Sequence, residues 1–164
     1  FGRIGQEVAK IGIGVGMNII FYDLHNKEAK FKIDFFDGSY NEFNLKSSSF
    51  GELLSKSDFI SLHVPAQKDY VIGEKELSKM KDGSGIINAA RGGVIDEESL
   101  LKFIENKKIA FAALDTFENE PSPSIKVLMN QSISLTPHIG AATNEAQKRI
   151  GIELADQIID IYNL

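Results

Sequence analysis

The sequence predicts a doubly wound α/β domain on a parallel sheet, and three observations carry that prediction. Short apolar runs of strand length recur along the chain (DFISLHV, SGIINAA, IAFAALD, SISLT) without the in–out alternation of a sheet with one wet face. Helix-patterned segments separate them, the order expected when parallel strands are joined by helical crossovers. The 164 residues suffice for one good core and show no internal repeat and no low-complexity linker.

Taken in order, QEVAKIGIGVG predicts a helix with Val8, Ile11 and Val15 at helical spacing, ended by Gly14 or Gly16. MNIIFYD is a β-rich run ending in Asp23. The stretch LHNKEAKFKIDFFDGSYNEFNLKSS reads as a loop with room for one helical turn and a single weak strand, with a turn at Gly38. The serines of SSSFGELLSKS are placed to cap a short helix, and DFISLHV is a strand stopped by Pro65. GEKELSKMK is a short helix and SGIINAA a strand. DEESLLKFIENKK is a helix with acids in its first turn and lysines in its last, matching the helix dipole. IAFAALD and SISLT complete the strands, and NEAQKRIGIELADQIIDIYNL is a terminal amphipathic helix.

Composition narrows the function. A net charge of -5 argues against nucleic-acid and anionic-membrane surfaces as partners. No apolar run approaches the roughly 20 residues of a membrane span, and no signal peptide is visible, which points to the cytoplasm. With no cysteine, thiolate catalysis, disulfides and zinc–cysteine sites are excluded, and no residue cluster suggests a metal. Only His25, His63 and His138 offer an imidazole for acid–base work near neutrality.

The opening FGRIG has the form of the second half of a G-x-G-x-x-G phosphate loop. Gly2 would let backbone approach a pyrophosphate at a helix N-terminus, and Gly5 would let the helix pack closely on the sheet. Asp23, 18 positions after Gly5 at the end of an apolar run, suits the ribose hydroxyls of NAD and disfavours the 2′-phosphate of NADP, a preference Lys27 could soften; its plainer use is to cap the loop that follows. In the strand order 3-2-1-4-5-6 the first strand is central. The expectation is therefore that the first glycine and the first strand lie upstream of Phe1.

Downstream, three successive strand ends carry chemistry to one sheet edge, where ligands of such folds bind. INAARGGVIDEESL places Arg91 there beside two glycines, suited to bidentate carboxylate binding. ALDTFENEP places Asp115 at the next strand end, with Glu118 and Glu120 in the loop after it. SLTPHIGAAT places His138 between Pro137 and a glycine turn, where a carboxylate behind it favours the imidazolium that protonates a developing alkoxide.

FGRIG, FYD, LHVP, NAARGGVIDEESL, ALDTFENEP and LTPHIGAATNEAQ together resemble the nucleotide-binding domain of the D-isomer-specific 2-hydroxyacid dehydrogenases, in order and spacing across nearly the whole chain. Within that family TPHIGAATNEAQ is most similar to the D-3-phosphoglycerate dehydrogenase branch. The resemblance implies a Rossmann-like fold and NAD-dependent hydride transfer at C2 of a D-2-hydroxy acid. It implies Arg91 for the substrate carboxylate, His138 as acid/base and Glu120, immediately before Pro121, as its carboxylate partner; Glu118 does not match that family glutamate. It further implies Gly2, Arg3, Ile4 and Gly5 at the pyrophosphate and Asp23 at the adenosine ribose. Val64, Ala89, Ala90, Arg91 and the loop from His138 through Gly140 to Ala141 would line the cofactor, with Asp115 on the nicotinamide amide.

The family also implies a homodimer and a separate substrate domain, most of which would lie outside residues 1–164, so this segment alone could carry the catalytic groups without turning over. Two rivals use the same fold. One is an NAD-sensing, corepressor-like binding module, separable by activity on hydroxy acids. The other is an alanine-dehydrogenase or homocysteinase type of domain, against which the Arg91, Glu120 and His138 arrangement argues.

Overall fold

The computed structural model describes residues 1–25 and 27–162. The chain runs α1 (Arg3–Gly14), β1 (Glu28–Asp34), β2 (Tyr40–Lys46), α2 (Phe50–Lys56), β3 (Phe59–Leu62), α3 (Glu74–Lys79) and β4 (Ser84–Asn88). It continues through α4 (Glu97–Glu105), β5 (Ile109–Leu114), α5 (Ile125–Leu128) and β6 (Ile133–Leu135) to α6 (Asn144–Tyr162). Positions 163 and 164 of the expected terminal helix lie outside the described residues.

The predicted parallel sheet is present, with order β3-β4-β5-β6 and every pairing parallel. Its register matters for function. Leu62 pairs with Asn88, Asn88 with Leu114 and Leu114 with Leu135, so all four strands finish level at one edge. The main core lies against this sheet: Ile60, Ile86, Ala112 and Leu114 pack with Leu77 and Leu100 from the helices. Apolar burial of this kind contributes about 25 cal/mol per Å². The Phe59 and Phe111 rings pair with centroids 5.6 Å apart and remain partly exposed.

The caps follow the sequence. Ser49 accepts the Glu52 N–H at 3.2 Å, and Asp96 accepts the Ser99 N–H at 3.0 Å. Gly16, at φ +85°, follows α1 in a Schellman closure: its N–H donates to Ile13 O and the Met17 N–H to Gly12 O, both at 2.9 Å.

Three expectations change. The stretch 27–46 forms a hairpin of two full strands, with seven antiparallel pairs, rather than one weak strand. Its alternating residues meet across the pair, Phe31 stacking on Phe43 at 5.7 Å, and Gly38 at φ +84° makes the expected turn. MNIIFYD is not a ladder strand. It runs as irregular chain, fixed by the Ser48 N–H on Phe21 O at 2.8 Å and by the Phe1–Phe21 stack at 4.1 Å. Helix α1 buries Gly5, Ala9 and Gly12, whereas Val8, Ile11 and Val15 are exposed. Its contact is close enough that small residues face inward: a Cβ on Gly12 would come 2.8 Å from Ile19 Cδ1. The sequence pattern does not predict the four-residue α5, which is too short for periodicity to reveal.

Candidate functional site

The level strand ends bring His63, Ala89–Arg91, Asp115 and the turn at His138 to one edge. Helix α1 starts at that edge, because a Cβ on Gly5 would lie 3.8 Å from His63 Cβ. His63 also shares a 2.9 Å hydrogen bond with Ser61, and burial pushes its pKa down.

Two of the predicted groups are in direct contact. His138 Nδ1 lies 2.8 Å from Glu120 Oε2, and the Phe117 N–H donates to Glu120 Oε1 at 2.9 Å. These bonds, that of His138 first, hold the Glu120 carboxyl below its ordinary 4.5. With Nδ1 engaged by Glu120, His138 Nε2 is the nitrogen left for a ligand. The backbone at His138 has φ 54°, a left-handed conformation unusual for a residue with a side chain. Such outliers persist where surrounding structure enforces them, commonly at functional sites. Here the enforcement is visible: the His138 N–H donates to Thr136 O at 3.0 Å, and the next two N–H groups bind Asp115.

Asp115 anchors that turn. Its Oδ1 accepts from Thr136 Oγ1 at 2.6 Å and from the Ile139 N–H at 2.9 Å, and its Oδ2 accepts from the Gly140 N–H at 3.0 Å. Burial alone would raise the Asp115 pKa, but these three bonds and the His138 charge outweigh it, leaving it below the ordinary 3.8. The sign of the pH effect follows. Stability from Asp115 and Glu120 is complete above the unfolded-chain carboxylate values and is lost as pH falls through their lowered folded values. The urea midpoint should therefore drop on acidification from about pH 6 to about pH 3, and less steeply in Asp115→Asn. Equal slopes in the two proteins would remove Asp115 from this linkage.

Arg91 is exposed at the same edge, and its guanidinium bonds the Ala90 carbonyl of its own loop at 2.6 Å rather than joining the Glu120–His138 pair. Its loop is fixed by Asn88, which the sequence motifs do not single out. Buried Asn88 accepts the Ala90 N–H at 3.1 Å and donates to Arg91 O at 2.9 Å. A polar residue closing an otherwise apolar strand is the available signal. Gly92, one of the two glycines expected beside Arg91, makes a close approach: a Cβ there would collide with the Phe117 carbonyl, lying 2.7 Å from its carbon. A second residue that the motifs do not single out is Glu97, whose backbone and side chain are engaged reciprocally with Glu118 at 2.8 Å each way.

The remaining predicted residues are spread along the edge. Gly2 precedes α1 with open space around it, while Arg3 and Ile4 are exposed in the first turn and Arg3 ion-pairs with Glu153 of α6. Val64 is half-buried, Ala89 exposed and Ala90 buried. Gly140 and Ala141 are exposed, and Ala141 O accepts from Gln147 at 2.7 Å. Asp23 accepts the His25 N–H at 2.8 Å, so its loop-capping use is realised. Among the described residues no three carboxylate, imidazole or thiol groups converge as a metal site, and no helix is long and apolar enough to cross a membrane.

Comparison with known proteins gives this edge its context. Residues 1–140 match the family described as D-isomer specific 2-hydroxyacid dehydrogenase, NAD binding domain. Hydroxypyruvate reductase of Thermotoga maritima is 43% identical over 163 residues, covering 96% of this chain and 49% of that protein. D-3-phosphoglycerate dehydrogenase of Archaeoglobus fulgidus is 39% identical, covering 98% of this chain and 29% of that protein. A crystal structure of a glyoxylate reductase from Paecilomyes thermophila superposes with a TM-score of 0.75 at 40% identity, covering 91% of this chain and 43% of that one. The chain thus spans half or less of the length of each. Matched by that family over residues 1–140, and superposing on a solved relative at a TM-score of 0.75, the chain belongs to the NAD-binding domains of the D-isomer-specific 2-hydroxyacid dehydrogenases.

Proposed function

We propose that this chain is the nucleotide-binding domain of an NAD-dependent D-2-hydroxyacid dehydrogenase, working in a longer homodimeric, cytoplasmic polypeptide with a separate substrate domain. The single observation that carries the catalytic part is the 2.8 Å His138–Glu120 pair at the carboxyl edge of the sheet. In this reading Arg91, Glu120 and His138 are the catalytic residues.

The residues present fit the cofactor. Gly2 leaves open space before α1, whose first-turn N–H groups suit a pyrophosphate, with Arg3, Ile4 and Gly5 completing that turn. A carboxylate offers about four acceptor sites, and Asp115 uses three, leaving one on Oδ2 for the nicotinamide amide. Val64, Ala89, Ala90, Gly140 and Ala141 line the edge between these points, and Asp23 takes the ribose hydroxyls. When bound, NAD supplies the hydride acceptor.

The protein's own groups do the rest. Arg91 holds the substrate carboxylate and fixes C2 in place. As the C2 hydride leaves, His138 Nε2 takes the hydroxyl proton, so the alcohol becomes a ketone with charge conserved. Glu120, bonded to Nδ1, stabilises the resulting imidazolium; in the reductive direction the same imidazolium returns the proton.

For substrate, the TPHIGAATNEAQ stretch and the Archaeoglobus relative support D-3-phosphoglycerate, and with it a role at the entry of serine biosynthesis. Assays of the full-length polypeptide with D-3-phosphoglycerate, and of the reverse reaction with hydroxypyruvate and glyoxylate, decide it by the ratio of kcat/KM values. Cofactor binding without turnover of any of these would favour an NAD-sensing module instead.

Asp23 gives a second test. Calorimetric titration should show NADH binding more tightly than NADPH, and Asp23→Ala should weaken NADH by about tenfold, or ~1.4 kcal/mol, while narrowing the preference. Unchanged NADH affinity would leave Asp23 only its loop cap.

A further inference from the structure

The proposed chemistry leaves Glu97 and Glu118 without a part, yet both sit at the junction of the loops that carry it. The N–H of Glu97, the first residue of α4, donates to Glu118 Oε1 at 2.8 Å, and the N–H of Glu118 donates to Glu97 Oε1 at 2.8 Å. Each carboxylate therefore caps the other's backbone across 21 positions of sequence. Glu97 is 7% exposed, burial that an unpaired carboxylate would not tolerate. Burial pushes its pKa up; the Glu118 N–H opposes that rise, and the Glu118 and Glu120 charges add to it.

An ordinary helix cap would explain one of these bonds, since the first N–H groups of any helix need acceptors. Reciprocity and location go further. The clasp lies one residue from Phe117, whose N–H holds Glu120 and whose carbonyl abuts Gly92, the neighbour of Arg91. On the other side Glu118 faces Tyr70 of the β3–α3 loop, whose phenol pKa its charge pushes up. The loop bearing Arg91 and the loop bearing Glu120 are thereby tied at two adjacent points, by the Gly92 approach and by the two carboxylates.

We propose that Glu97 and Glu118 are positioning residues: their reciprocal clasp sets the separation between Arg91 and the Glu120–His138 pair, and so the alignment of the bound hydroxy acid. This rests on the dehydrogenase reading above. Misplacement of a reacting group by about 1 Å can cost about 10²-fold in rate.

The test uses the full-length polypeptide and three variants, Glu118→Ala, Glu118→Gln and Glu97→Ala/Glu118→Ala. Glutamine keeps an oxygen able to accept the Glu97 N–H; alanine does not. Expected are a fall in kcat of roughly 10–10²-fold for Glu118→Ala with NADH affinity within about threefold, recovery of most of that loss in Glu118→Gln, and no further loss in the double variant. NMR of isotope-labelled histidine in the same proteins, with His138 assigned from His138→Gln, reads the Nδ1–H bonded to Glu120; it should weaken in Glu118→Ala and return in Glu118→Gln.

Wild-type turnover in Glu118→Ala would overturn the proposal, as would an equal loss in Glu118→Gln. If the wild-type polypeptide turns over no hydroxy acid, the dehydrogenase reading fails by itself. The histidine signal then still decides the clasp, and its persistence in Glu118→Ala would refute the coupling. A variant that fails to fold, seen by circular dichroism, passes the decision to Glu118→Gln, whose turnover and histidine signal must match wild type.

Discussion

His138→Ala should lower kcat of the full-length polypeptide by at least about 10²-fold, the ordinary loss when a general acid–base group is removed. The reason is local. Glu120 engages Nδ1 at 2.8 Å, which leaves Nε2 for the proposed proton transfer, and neither of the other two histidines takes part in that pair. Loss of activity through misfolding can be told apart from loss of chemistry, because the backbone at position 138 has φ 54°. A side chain in that conformation costs about 1–2 kcal/mol, so His138→Gly should be at least as stable as His138→Ala and just as slow. Glu120→Gln should slow the wild type but add little to His138→Ala, since the two groups act as a unit. Steady-state rates with urea midpoints for the wild type, the three single variants and the double variant check all of this. Turnover near wild type in His138→Ala would end the assignment.

Gly92→Ala should be the most damaging single methyl in the molecule. The new Cβ would meet a backbone carbonyl, that of Phe117, which cannot swing away as a flexible side chain would. Forced overpacking of this kind costs about 3 kcal/mol. Gly93 supplies the control: at φ 73° it is strained for any other residue, but a Cβ there meets open space. Gly93→Ala should therefore cost only the conformational penalty, about 1–2 kcal/mol. Urea denaturation of both variants measures the difference, and equal midpoints would mean that the two loops are not in contact at Gly92. Because Phe117 also holds Glu120, Gly92→Ala should lose turnover even in the fraction that folds.

Much of this site is legible in the amino-acid sequence alone. Each strand from β3 to β6 is a short apolar run whose identity depends mainly on its own residues, and Ser49 and Asp96 cap helices within three positions of themselves. Once those strands are placed, parallel pairing sends Arg91, Asp115 and His138 to one edge. What is not legible depends on partners. MNIIFYD has strand composition, but a strand is defined by neighbours that accept and donate its hydrogen bonds. The hairpin is the opposite case: Phe31 and Phe43 alternate with polar residues, yet only their pairing across the turn makes a sheet of two weak segments. In α1, spacing locates the helix but selects the wrong stripe, because close approach favours Gly5, Ala9 and Gly12 over larger neighbours. The Glu97–Glu118 clasp needs two loops brought together by tertiary structure, and nothing at either position announces the other.

The level ending of the four strands makes the sheet a ruler. Each residue advances a strand by about 3.3 Å and turns the next side chain to the opposite face. Asp115, directly after Leu114, and the turn at His138, three residues after Leu135, therefore owe their meeting to a count of residues as much as to their chemistry. Substitution within β5 or β6 leaves that count intact, while insertion or loss of one residue turns the carboxylate away from the turn it anchors. The adaptable part of such a domain lies in the loops beyond the edge; the strands are fixed in length before they are fixed in composition.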